Sequence, residues 1–234
     1  MHIPDGYLGL QTYAAAYAAV APFWGVASRV VSRTLRSRQV PLLALGAAFT
    51  FVIMMFNVPA GPGGTTGHAV GAVLVAVLLG PWAAVIAVSV ALIVQALLFA
   101  DGGVTAIGAN CLNMAVIMPF VGYGVYRLVA GRSVPTSPRR WIGAALGGYF
   151  GLNAAALATA FELGLQPAIA HDLAGRPLYA PYPLTMTIPV IMAEHLLIFG
   201  FVEAAVTGLV VAWIQRSDAS LLAGAPAARK EARG

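Results

Sequence analysis

Charged residues are scarce in this sequence: Asp, Glu, Lys and Arg make up only 9% of its 234 residues. A soluble domain carries about 25%. Hydrophobic residues account for 60% of the chain, and the mean hydropathy is +0.85. This composition excludes an ordinary soluble domain and predicts an all-α polytopic membrane protein. The net charge of +5 is therefore interpreted as membrane topology and not as a nucleic-acid surface.

Several motifs and residue types are also missing. The single cysteine, Cys111, excludes a disulfide within the chain. There is no Gly-x-x-x-x-Gly-Lys-[Ser/Thr] segment, which excludes a P-loop ATP site, and no His-Glu-x-x-His segment of an intramembrane zinc protease. No acidic relay crosses the apolar stretches, as a proton-driven pump would need. If the chain takes part in transport, a partner must supply the energy.

Seven apolar stretches divide the chain, and each is a candidate transmembrane helix. The third is short for a bilayer that takes about 20 helical residues. The dipeptide Gly80-Pro81 ends it, because proline removes a backbone donor and fixes φ. The sequence DGG at 101–103 makes the next turn. The stretches are 10–31, 41–58, 66–80, 82–100, 104–128, 141–161 and 185–214.

The basic residues predict an orientation. They form clusters after the first, fifth and seventh stretches, so that seven helices place all three clusters on one side and only Arg176 on the other. The positive-inside rule then puts the N-terminus outside and the C-terminus in the cytoplasm. We expect a membrane-embedded domain over residues 1–216, a cytoplasmic polar tail over residues 217–234, and a location in a prokaryotic plasma membrane.

The chain opens with MHIPDG and has no Lys or Arg before Arg29, unlike a secretory signal. We interpret this start as part of the working protein. The Met1 amine, the His2 amide nitrogen and the His2 Nδ1 atom can close fused five- and six-membered chelate rings on one ion. Such coplanar nitrogens suit Ni(II) and Cu(II), whereas zinc prefers a tetrahedron. The alternative is a solvated histidine beside a free terminus.

His68 is the candidate for a fourth donor. It ends the glycine-rich segment GPGGTTGH, whose small side chains allow another segment to approach closely. Pro4-Asp5-Gly6 predicts a tight turn that returns the terminus toward the helices. Together these features predict that Met1 and His2 reach His68. The alternative for His68 is an interfacial histidine at a helix start.

Three blocks in order carry a resemblance to a known family: MHIPDG, GPGGTTGHAVGAVLVAVLLGP and QALLFADGGVTAIGANCLNMAVIMPFVGY. They resemble the NikM/CbiM family, the substrate-binding S-component of energy-coupling-factor (ECF) transporters for nickel and cobalt. The later segment EHLLIFGFVEAAVTGLV is similar to that family's last helix. The GGTTGH loop and the ADGG turn resemble the nickel branch more closely than the cobalt branch. The resemblance covers nearly the whole chain.

The resemblance implies a fold, a site and partners. The fold is six S-component helices plus one N-terminal helix. The site is the Met1 amine, the His2 amide and imidazole, and the His68 imidazole, binding Ni2+ with high affinity, with Co2+ as the second ion, on the extracytoplasmic side. The partners are a T-component docked on Ala44 and Ala48, ATP-binding-cassette ATPase subunits and a small accessory membrane subunit. The chain itself is not expected to be an enzyme.

Four further polar residues accompany this set. Asp5 and His195 are interpreted as side chains that position the ligands, with an interhelical hydrogen bond as the alternative for His195. His171 lies in the outer segment 162–184, and its contribution stays open. Glu203, in the inner half of the last helix, favours contact with a partner subunit.

Two other functions stay open. A stand-alone secondary permease for nickel or cobalt would transport with the ATPases deleted. An intramembrane metal-dependent hydrolase would use Glu194 and His195 with a nucleophile or a bound water. It would turn over a lipid or peptide without nickel.

Overall fold

The computed structural model describes residues 1–60 and 65–222, and this part of the chain is almost entirely helical. Six of its helical spans are long and apolar enough to cross a membrane, which confirms the predicted all-α polytopic fold. The helices are α1 (Leu10–Thr34), α2 (Val40–Met54), α3 (Ala72–Leu79), α4 (Pro81–Phe99), α5 (Ile107–Ala130), α6 (Pro138–Gly164) and α7 (Leu184–Ser217).

The third predicted span, 66–80, is only partly helical. α3 has eight residues, about 12 Å of helix at 1.5 Å per residue. Before it, β1 (Val58–Pro59) pairs antiparallel with β2 (Thr66–Gly67), and residues 67–71 are buried throughout. Irregular backbone at membrane depth is tolerated where protein buries it or where it lines a cavity. The count of seven crossings and the outward N-terminus stay predictions.

Both predicted breaks around α4 occur. Gly80 has a φ of 91°, and Pro81 is the first residue of α4, where its missing N–H costs no intrahelical bond. At the other end, Ala100 takes a left-handed conformation and the Asp101 amide donates to Gln95 O at 3.2 Å. The chain therefore turns sharply after α4, which positions Asp101 at the site described below.

α5 and α7 each contain a π-helical turn, at Cys111–Ile117 and His195–Phe199. Such turns insert an extra residue into a helix and occur frequently at functional sites. The turn in α7 begins at His195, one of the residues singled out in the sequence. This irregularity is the first structural indication that the part of α7 around His195 does more than span the membrane.

The chain continues to pack after α7. Residues Ala219–Leu222 form a short 3-10 turn, and Leu222 is buried. Most of the predicted tail, residues 223–234, lies outside the described residues. The domain boundary at residue 216 therefore stays a prediction.

Candidate metal site

The N-terminus is buried inside the protein. Met1 is 5% exposed, and its amine donates to Thr66 O on β2 at 2.9 Å. The predicted turn at residues 4–6 is present, with Gly6 at a φ of 82°. An amine held against a backbone carbonyl in the interior is unusual, because a charged terminus normally stays in water.

Asn110 holds the segment that follows Met1. The Ile3 amide donates to Asn110 Oδ1 at 2.9 Å, and Asn110 Nδ2 donates back to Ile3 O at 3.2 Å. The Gly103 amide also donates to Ile3 O, at 2.8 Å. A Cβ at Gly103 would lie 2.3 Å from Asp5 N, so this close approach requires glycine. The terminus is therefore fixed to α5 and to the turn before it.

Asp5 anchors the same segment from its exposed side. Its carboxylate accepts bonds from the Val104 amide at 3.0 Å and the Thr105 amide at 2.9 Å, and from the Thr105 hydroxyl. The hydroxyl and amide bonds of Thr105 hold the pKa of Asp5 below its usual value. Asp5 thus contacts the turn after α4. Its predicted role in positioning the metal ligands stays a prediction.

His2 and His68 meet face to face. Their rings stack with centroids 4.7 Å apart and planes 21° apart. His68 is 1% exposed, and its Nδ1 lies 3.0 Å from Ala69 O. Since a carbonyl only accepts, Nδ1 carries the proton and Nε2 presents a lone pair, which has no partner among the described residues.

Gly67 permits this arrangement. A Cβ there would lie 2.0 Å from the ring of Phe199 on α7, so any other residue would displace the loop that carries His68. The absence of a side chain at Gly67 therefore serves close packing against α7.

Asp101 holds the other side of the His2 ring. His2 Nδ1 lies 3.1 Å from Asp101 Oδ1, an ion-pair distance without the alignment of a hydrogen bond. A metal ion lies in the plane of a ligating imidazole, and two stacked rings have no common in-plane point. The predicted square of nitrogens therefore requires the His2 ring to rotate away from Asp101. In the sequence, this residue stands out only as part of the ADGG turn.

Burial sets the charge state of the terminus. It lowers the pKa of the Met1 amine to about 5, against opposing contributions from the charges of Asp101 and Glu194. Burial likewise lowers the pKa of His2, while Asp101 raises it in part. At neutral pH both groups are therefore uncharged, which is the form that binds a metal ion.

A cavity of about 280 Å³ lies beside Met1 and His2. Asp101, Glu194 and His195 also line it. His195 Nδ1 lies 2.8 Å from Ile191 O and donates to it, leaving Nε2 as a buried lone pair. Glu194 accepts a hydrogen bond from the Thr65 hydroxyl through Oε1, and its Oε2 is buried without a partner in the described chain.

Glu203 does not contact a partner surface. It is fully buried, its Oε2 accepts from the Val70 amide at 2.7 Å, and both its oxygens lie 3.1 Å from the Gly71 amide. The prediction of a partner contact is wrong, because the carboxylate caps the turn between His68 and α3. His171 lies exposed in the outer segment and is not among the described residues that line the cavity.

Within residues 1–60 and 65–222, no three His, Cys, Asp or Glu side chains come together as a metal cluster. The nitrogen groups that lie near one another are the Met1 amine, the His2 amide and the two imidazoles, although the stacked rings do not direct their nitrogens to one point. A site built from them is rich in nitrogen and depends on the backbone. This donor set fits the chemistry of Ni(II) better than that of the hard, oxygen-binding cations.

Comparisons with known proteins show which family the chain is similar to. A family model described as the cobalt uptake substrate-specific transmembrane region matches residues 2–221. The fused nickel transport protein NikMN of Rhodobacter capsulatus is 57% identical over 97% of this chain, and the probable fused nickel transport protein LarMN of Lactiplantibacillus plantarum is 48% identical over 99%. The chain spans 66% and 69% of the lengths of these two relatives.

A solved structure extends the similarity to the fold. A crystal structure of a truncated transition metal transporter superposes with a TM-score of 0.88 at 53% identity, covering 93% of this chain and 99% of that one. The family model is thus named for cobalt uptake, and the two relatives are named as nickel transport proteins. The sequence, the helices and the relatives lead to one conclusion: this chain is a multi-pass plasma-membrane protein of the CbiM/NikM family of metal transport proteins.

Proposed function

We propose that this chain is the S-component of an ATP-driven ECF importer, which binds Ni2+, and Co2+ more weakly, on the extracytoplasmic side. The ligands in this proposal are the Met1 amine, the amide and imidazole nitrogens of His2, and the His68 imidazole. Four nitrogens in a plane give low-spin, square-planar Ni(II). The ion is the cargo of the protein and not a resident cofactor.

One observation carries this proposal, namely the burial of the Met1 amine beside two imidazoles. A terminus that had no function would stay in water, since desolvating an amine is costly. Here it is buried, neutral at pH 7 and hydrogen-bonded to Thr66 O. The ring of His2 is stacked on that of His68, whose Nε2 lone pair is buried without a partner among the described residues. If the amine gives up its bond to Thr66 O and His2 gives up its contact with Asp101, these donors can turn to a common ion.

The helical surface supports a role as one subunit among several. α2 buries only Thr50 and Met54, and Ala44 and Ala48 are exposed one turn apart. Small residues at this spacing allow another helix to approach closely. We assign this face to the T-component, and we assign ATP hydrolysis to separate ATPase subunits because the chain has no P-loop sequence.

The test is nickel uptake by cells that express the complete transporter, with three forms of this chain. The native form is expected to take up nickel. One added N-terminal residue moves His2 to third place, where the new terminus supplies four nitrogens by itself, so uptake should fail even where binding persists. A long N-terminal tag should abolish both uptake and binding. The same tag at the C-terminus is the matched control and should leave uptake intact.

Two checks make the result decisive. Mass spectrometry of the purified native form must show a mature chain that begins at Met1, since the proposal requires a free amine there. Deletion of the ATPases should stop uptake, whereas continued uptake would favour the stand-alone permease. Equal uptake by all three N-terminal forms would show that the terminus is not a ligand.

A further inference from the structure

The cavity beside Met1 and His2 contains polar atoms that no hydrogen bond satisfies. Glu194 and His195 are 6% and 1% exposed, and neither Glu194 Oε2 nor His195 Nε2 has a partner among the described residues. Asn57 Oδ1 is also buried and has no hydrogen-bond partner among the described residues. All three residues line the cavity. Buried polar atoms are normally paired, so three such atoms at one cavity indicate a ligand.

These three atoms share one chemical property, because all of them accept hydrogen bonds. An ionised carboxylate and an amide oxygen only accept. The His195 Nδ1 proton is committed to Ile191 O at 2.8 Å, so its Nε2 also accepts. The Asp101 carboxylate lines the same cavity and adds a second acidic group. The ligand must therefore carry positive charge and present donors on several sides.

A hydrated divalent cation has these properties. Its bound waters turn their hydrogens outward, and its charge complements two carboxylates. Six waters at about 30 Å³ each occupy about 180 Å³, which is less than the cavity volume of about 280 Å³. Met1 and His2 line this cavity but His68 does not, so the space adjoins two of the proposed ligand residues without reaching the third.

We propose that this cavity, here called the outer chamber, is a binding position for the hydrated Ni2+ or Co2+ ion. Asn57, Glu194 and His195 hold the ion through its water shell before it meets the nitrogen ligands. The inference rests on the proposed function and adds a step to it. The chamber captures the ion with its waters, and the chelating terminus then replaces those waters with nitrogen.

The test uses Mn2+ as the probe, because Mn2+ binds nitrogen weakly and prefers oxygen ligands and water. The full chain with His2→Ala, purified in detergent, is titrated with Mn2+ and followed by electron paramagnetic resonance. We expect one site that binds hydrated Mn2+ despite the loss of the chelate. Adding Glu194→Gln should weaken this site about tenfold or more, since a hydrogen bond to a charged partner is lost.

Asp172→Asn is the matched control, because it removes a carboxylate from the exposed outer segment, where Asp172 pairs with Arg176. It should leave the Mn2+ affinity unchanged. If size-exclusion chromatography shows that Glu194→Gln does not fold, His195→Leu takes its place and should weaken the same site. The proposal is overturned if His2→Ala binds no Mn2+, or if the Glu194 and His195 substitutions leave Mn2+ binding unchanged.

Nickel affinity separates this proposal from the function on which it rests. Native and His2→Ala proteins are compared with Ni2+ alone. Equal nickel affinities would overturn the ligand set at the terminus, whatever the Mn2+ result. A lost nickel site together with an absent Mn2+ site would support the terminus and overturn the outer chamber.

Discussion

Residues 1–9 and helix α2 differ in opposite directions in backbone regularity and in burial. The N-terminal segment has no regular structure, yet Met1, Ile3 and Leu8 are only 5%, 1% and 3% exposed. α2 is a regular helix, yet the span that contains it is only 11% buried. A helix satisfies its own backbone and can therefore face lipid or a partner. An irregular segment can be buried only where other groups satisfy its backbone, as Asn110 and Gly103 do for Ile3, and this arrangement supports the proposal that the segment is part of a site.

The largest expected effect in the buried region comes from His68→Ala. We expect nickel affinity to fall about 100-fold or more, since loss of residues that merely support a ligand already costs about 10–100-fold. The helices should remain folded, because His68 lies in the loop before α3. Isothermal titration with nickel measures the affinity, and circular dichroism checks the fold.

His171→Ala is the control for that substitution. It removes an exposed histidine from the outer segment and should leave nickel binding unchanged. Native-like binding by His68→Ala would mean that the fourth ligand lies elsewhere, and His195 would be the next residue to substitute.

The next prediction concerns pH and separates a buried terminus from an exposed one. An exposed amine has a pKa of about 7.7–8.0 and would release a proton on binding nickel at pH 7. Burial lowers the pKa of the Met1 amine to about 5, so at pH 7 only the His2 amide has a proton to release. Nickel affinity should therefore rise about tenfold per pH unit near pH 7, and more steeply below about pH 5.

Titrations in a series of buffers measure this slope. A slope of two protons near pH 7 would show that the amine is protonated in the metal-free protein and would contradict its burial. The form with one added N-terminal residue provides the comparison for this slope. Its new amine is one residue removed from the position where the Met1 amine bonds to Thr66 O.

A smaller effect is expected from Asp5→Asn. Asp5 is exposed and accepts bonds from Val104 and Thr105, so the substitution loosens the anchor of the terminus without removing a ligand. We expect nickel affinity to fall by about fivefold or less. A loss as large as that of His68→Ala would contradict the anchoring role and would favour direct ligation by Asp5.

The smallest effect on metal binding is expected in the exposed region. Ala48→Leu places a larger side chain on the open face of α2, so nickel binding by the isolated chain should not change. Copurification with the T-component should decrease, because the small-residue contact is lost. Ala18→Leu, on an exposed position of α1, is the control and should leave copurification intact. Normal assembly of Ala48→Leu would remove α2 from the proposed interface.

The sequence was sufficient to predict some of these features. Composition and spacing predicted the helices, and Gly80-Pro81 marked a real break. The turn at Pro4-Asp5-Gly6 and the glycines before His68 correctly predicted that the terminus approaches this loop. All of these signals are local, because a turn or an apolar run is encoded within a few neighbouring residues.

The features that the sequence did not predict depend on distant pairs. Nothing near Asn110 indicates that its amide pairs with Ile3, and nothing near Asp101 indicates that it faces His2. Glu203 was assigned to a partner contact because its depth in the last helix suggested one, whereas its carboxylate caps the loop beside His68. Side-chain bonds to backbone groups over 100 residues away leave no periodic pattern in the sequence.

The sequence distances of these bonds have a consequence for the order of folding. Ile3 pairs with Asn110 across 107 residues, and the Gly9 amide bonds to Gln166 across 157 residues. The Tyr7 carbonyl accepts from the Ala180 amide. The terminus is the first part of the chain to be synthesised, but its partners are made only after most of the helices. A newly made chain therefore completes this end of the molecule late, and the proposed metal site can form only after most of the helices are in place.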